Sequence, residues 1–125
     1  MLKILSISWI ILIAIGHALP GSDMPNTFFL NIPHFDKLVH TVFFMIAYYL
    51  VATAYSKQYS TIFSRYLIVG LITYGLLLEF LQGSLFVDRS MDVFDFIADS
   101  LGVFIGLFLI KKIPFYPATH SNKKV

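Results

Sequence analysis

Asp92, Asp95 and Asp99 recur at three- and four-residue intervals, the spacing that lines side chains along one face of a helix. Gly102 and Gly106 continue the same row. A row of carboxylates supplies the oxygen donors that a hard divalent cation prefers. Asp92, Asp95 and Asp99 are therefore candidate metal ligands, with a divalent cation as the candidate cofactor. A second group, Asp36 and His40, shares a helical stripe with Ala47 and Ala54, and Lys37 stands beside it. Glu79 and Gln82 form a third, with Gly75 one turn before Glu79. His40 and Glu79 can act as general acid or base if their pKa values lie near neutrality. Together with Arg89 and Asp92 they make a candidate catalytic set. Asp36, Lys37, Gln82, Arg89 and Asp95 are candidates to hold a ligand. Arg89 and Lys37 suit a phosphate or carboxylate, which arginine matches bidentately.

The elements that must position these groups are membrane helices. Of 125 residues, 58% are hydrophobic and 13% charged, and the mean hydropathy is +0.79. An ordinary soluble domain has roughly 45–50% apolar and about 25% charged residues, and a chain this small cannot bury so much apolar surface in water. A crossing helix needs about 20 mostly apolar residues. Four segments approach that: 4–19, 38–55, 66–81 and 93–110. The expected fold is an all-α, four-helix transmembrane bundle forming one domain over residues 1–113, with a flexible tail over 114–125. Four crossings place both termini on one side. That side carries Lys3, Lys57, Arg65, Lys111, Lys112, Lys123 and Lys124, against Lys37 and Arg89 on the other. Positive charge collects on cytoplasmic loops, so both termini and the tail are expected in the cytoplasm. A competing reading takes Lys3 and the apolar run to Ala18 as a secretory signal, though Pro20 makes a poor cleavage context. Cleavage would leave three spans.

In the four-span reading all seven acids gather toward the outer face. An Asp or Lys at the centre of a membrane helix costs about 2.5–3.5 kcal/mol, and crowded carboxylates repel one another. Lys37, Arg89, a protonated His40, shared protons or a bound metal must relieve that repulsion. Gly102 and Gly106 form a GxxxG pair that permits close helix approach, which turns the acidic stripe inward and also offers a face for homo-oligomerisation. The bland alternative is a salt-bridge and hydrogen-bond knot that fastens the helices together, since membrane helices use polar residues as glue.

Asp36-Lys37-x-x-His40, Glu79-x-x-Gln82, and Arg89-x-x-Asp92-x-x-Asp95 leading to Asp99-x-x-Gly102-x-x-x-Gly106 resemble the VanZ-like membrane proteins. The likeness runs from Asp36 to Gly106, with Asp99 where the family commonly has Asn and Val87-Asp88 where a Pro-Gly often precedes the arginine. The resemblance implies a multi-pass protein of the bacterial cytoplasmic membrane acting at the outer leaflet. The family's named member is associated with low-level resistance to teicoplanin, a lipid-tailed glycopeptide.

Two functions from different classes follow. One is an outward-facing site that binds or processes a lipid head group or a lipid-linked cell-envelope precursor. The other is a non-catalytic module whose polar cluster is a structural knot or a partner-binding site. An ion or proton conductor fits less well, because the inner half offers few ionisable side chains. The absence of cysteine excludes thiolate chemistry and disulfides. No GxSxG elbow, HExxH helix or Walker loop occurs. The basic tail is too sparse for nucleic acid.

Overall fold

The computed structural model describes residues 1–18, 34–85 and 90–112. Arg89 with the rest of the link over 86–89, the proline-bearing first loop and the tail over 114–125 lie outside the described residues. Four helices carry the fold: α1 (Leu2–Ala18), α2 (Phe35–Ala54), α3 (Thr61–Leu85) and α4 (Val93–Lys112), with a 3₁₀ turn at Ser56–Gln58. No strand occurs among the described residues. The expected all-α four-helix architecture is what the chain adopts.

Helices α2, α3 and α4 are long and apolar enough to cross a membrane, and α1 is a shorter apolar helix of 17 residues. Less than a third of each long span is buried. The outward faces present Leu76, Leu77, Phe80, Leu101, Phe104 and Phe108, a surface that water does not tolerate and lipid does. The protein is a membrane protein.

The helices run past the apolar windows. Ser60 accepts a hydrogen bond from the Phe63 N–H at 3.1 Å, an N-cap that starts α3 five residues before Tyr66. At its other end α3 continues to Leu85, so Glu79 and Gln82 both lie inside it. Helix α2 begins at Phe35 and takes Asp36 and Lys37 into its first turn.

Packing centres on α2 and α4, whose contact is the most extensive in the bundle. Lys37 meets Asp92 and Asp95 near the start of both helices, and Tyr48 meets Gly106 further along. The two helices are therefore parallel. A Cβ on Gly102 would overlap the Thr41 carbonyl oxygen, and one on Gly106 would lie 2.8 Å from the Met45 oxygen. The single Thr41 hydroxyl proton has two acceptors within reach, the Lys37 carbonyl of its own helix at 2.9 Å and the Ala98 carbonyl of α4 at 3.2 Å. The Gly102 and Gly106 stripe, expected to face the bundle, packs against α2 of the same chain. Helix α1 is pinned from two sides: Trp9 Nε1 donates to the Phe43 carbonyl at 3.0 Å, and the Tyr74 hydroxyl donates to the Ile10 carbonyl at 2.7 Å. Ile13, Phe44, Tyr48, Leu71 and Val103 fill the core between the helices.

One end of the bundle is basic. Lys3 lies over the Tyr55 ring, 4.8 Å from its centroid, and the Tyr48 hydroxyl bonds Ser64 at 2.7 Å and Tyr59 at 3.1 Å. These contacts bring the start of α1, the end of α2 and the start of α3 together. Lys57, Arg65, Lys111 and Lys112 belong to the same end.

Candidate functional site

At the opposite end, ionisable side chains fall into two tiers. In the first, Lys37 Nζ donates to Asp36 Oδ2 at 3.0 Å, Asp92 Oδ2 at 2.9 Å and Asp95 Oδ1 at 2.8 Å. An ammonium has three protons, and here each has a carboxylate acceptor. This tier is partly open: the Asp36 side chain is 56% exposed and that of Asp95 only 13%. Asp92 sits just ahead of α4 and caps it, with Oδ1 accepting from the Phe94 N–H at 2.8 Å. The Lys37 ammonium, aided by that N–H, holds the Asp92 carboxyl below the usual carboxylate range.

The second tier lies about one helical turn, or roughly 6 Å, further in. It joins one residue from each helix: His17 of α1, His40 of α2, Glu79 of α3 and Asp99 of α4. Glu79 and Asp99 are both 0% exposed. His40 Nδ1 bonds Asp99 Oδ1 at 2.9 Å. Glu79 Oε2 accepts the Asp92 backbone N–H at 3.1 Å, tying the end of α3 to the start of α4. Its other oxygen, Oε1, lies 3.7 Å from His17 Nε2. His17 Nδ1 donates to the Ile13 carbonyl at 2.9 Å, since a carbonyl can only accept. The two imidazoles meet edge to face with ring centroids 4.8 Å apart. Glycine makes room at the base: a Cβ on Gly75 would stand 3.0 Å from Asp99 Oδ2.

The sequence-derived candidates are sorted by these tiers. Asp36, Lys37, Asp92 and Asp95 form the first, and His40, Glu79 and Asp99 belong to the second. The proposed metal row is divided between them, because Asp99 faces His40 and Glu79 while Asp92 and Asp95 face Lys37. Gln82 flanks the second tier, its Nε2 donating to the His17 carbonyl at 3.2 Å and so holding the end of α1. Arg89 lies outside the described residues.

His17 is the residue that sequence reasoning missed. The signal was available: in a four-span topology the end of the first span reaches the same face as Asp36, Glu79 and Asp92. A histidine in an otherwise apolar last turn, at that face, belongs with them. Compared with protein-family models, curated proteins and solved structures, the chain gives no match.

Proposed function

We propose that this protein binds or processes the polar head of a membrane lipid or lipid-linked envelope precursor at the outer leaflet of the bacterial cytoplasmic membrane. In this reading both termini are cytoplasmic, with the basic end of the bundle inside, in accord with the preference of lysine and arginine for the cytoplasmic side. The VanZ-like resemblance supports the same placement and links the protein to teicoplanin-type glycopeptide resistance. The observation that carries the reading is the second tier: four ionisable side chains, one from each helix, converge inside an apolar bundle. Ionisable groups buried in a membrane are expensive and mark sites of function.

The first tier sets the head-group preference. Three carboxylates surround one ammonium, so an excess negative charge meets the approaching ligand, and Lys37 has no proton left for a phosphate. An amine-bearing head group answers that excess, with Arg89 left to take the phosphate. His40 and Glu79 lie behind this tier, one turn deeper.

A second reading, the structural knot, has its own support. Glu79 holds the Asp92 N–H and Gln82 holds the His17 carbonyl, both of which fasten helices together. Native mass spectrometry separates the two. Purified protein offered equal phosphatidylethanolamine and phosphatidylglycerol retains the amine-bearing lipid, and Asp95→Asn loses that preference at unchanged folded yield. Equal retention of both lipids, or loss of lipid and folded yield together, returns the site to a knot.

A further inference from the structure

We propose that His17, His40, Glu79 and Asp99 bind one first-row divalent metal ion of the zinc class. Each residue offers one ligand atom, and all four atoms lie within 4.8 Å of one another. Tetrahedral ligands about 2.1 Å from an ion sit roughly 3.4 Å apart, so side-chain shifts of about 1 Å close the set. Two imidazoles with two carboxylates form a mixed nitrogen and oxygen set, which suits zinc and its neighbours better than calcium or magnesium.

The supporting bonds follow the pattern of metal-binding histidines, which donate their second ring N–H to a carbonyl or carboxylate. His17 donates Nδ1–H to the Ile13 carbonyl, which leaves Nε2 as the lone-pair nitrogen 3.7 Å from Glu79 Oε1. His40 Nδ1 and Asp99 Oδ1 stand 2.9 Å apart, close enough for both to ligate one ion that displaces the proton they share. Two carboxylate oxygens remain without a hydrogen-bond partner among the described residues, Glu79 Oε1 and Asp99 Oδ2, and both residues are fully buried. Oxygens of that kind, withdrawn from water and given no donor, call for a cation. A dication balances the two carboxylates. The first tier has no such need, because the Lys37 ammonium already fills the place between Asp36, Asp92 and Asp95.

This metal site sits in the second tier behind the head-group site proposed above but stands on its own observations; metal binding and lipid preference fail separately when measured separately. The test uses the full chain purified in detergent, stripped with a chelator, and titrated with Zn²⁺ and with Co²⁺ as a spectroscopic probe. Expected are one Zn²⁺ retained per chain through desalting, an intense visible Co²⁺ spectrum of the tetrahedral type, and unchanged binding in Ser84→Ala. Loss of even a supporting group costs a metal site 10–100-fold in affinity, so Glu79→Gln and Asp99→Asn each weaken binding by about 100-fold or more. Folded wild-type protein that retains no Zn²⁺, a weak octahedral Co²⁺ spectrum, or undiminished binding in both variants overturns the site. Should the variants fail to fold, the wild-type Co²⁺ spectrum decides.

Discussion

Asp92 engages three partners at once. Its Oδ2 accepts from Lys37, its Oδ1 caps the Phe94 N–H, and its own backbone N–H is held by Glu79. The charged form is the one these donors favour, so its folded-state pKa lies below the unfolded value. A depressed carboxylate pKa contributes stability that is fully present above the unfolded value of about 3.9 and is lost as pH falls through the folded value. The Asp92→Asn variant keeps a side chain able to cap a helix but carries no charge to titrate. Its melting temperature in detergent therefore falls less steeply than wild type as pH drops below about 4; an identical acid dependence would remove Asp92 from the ion cluster. At this scale the sequence was informative about residue type and spacing, and silent about partners. Spacing put Asp36, His40, Glu79 and Asp95 on inward stripes. It could not say that Lys37 would satisfy three carboxylates, because that depends on distances between helices. His17 escaped because a single histidine in an apolar helix has no periodic companion to mark it.

Glycine spacing decides how the elements meet. Gly102 and Gly106 let α4 lie against α2 with backbone nearly touching backbone, and a Cβ on Gly102 has the Thr41 carbonyl and the Met45 nitrogen in its way. A Cβ on Gly70 of α3 would meet nothing within 4 Å. Gly102→Ala is therefore expected to destabilise by about 1–3 kcal/mol, as overpacking does. Gly70→Ala is expected to be neutral or to stabilise by roughly 0.5–1 kcal/mol through helix propensity. Unfolding midpoints in a mild detergent, compared side by side, check the order, and equal responses would contradict the close approach. The Gly102 and Gly106 pattern was legible as a packing face, but which helix would use it was not; a GxxxG pair reads the same whether its partner belongs to the same chain or another copy. Helix ends were legible only to the edge of the apolar window. Hydropathy reports how long a segment can sit in lipid: it placed the start of α4 at Val93, where the helix begins, but missed the start of α3, which the Ser60 cap sets at Thr61.

As a whole, the molecule divides along its long axis. A basic end, an apolar middle and an acid-rich end follow from helices that run alternately, with the acids of α2, α3 and α4 at one end of the bundle and Lys3, Arg65, Lys111 and Lys112 at the other. This polarity was legible in the sequence, since it needs only the order of apolar runs and charges. The inward turn of the acid-bearing stripes was legible from the small residues that continue them, but how their tips converge was not, because small rotations of any helix would re-pair those groups. A shared site requires that convergence: histidines of α1 and α2 facing carboxylates of α3 and α4 in one enclosed space. Nitrogen-15 spectra of histidine-labelled protein test it most directly. Glu79→Gln and Asp99→Asn should each shift the ring signals of both His17 and His40 while leaving that of His34 in place. If neither substitution moves either of the two buried imidazoles, the four side chains do not share a site.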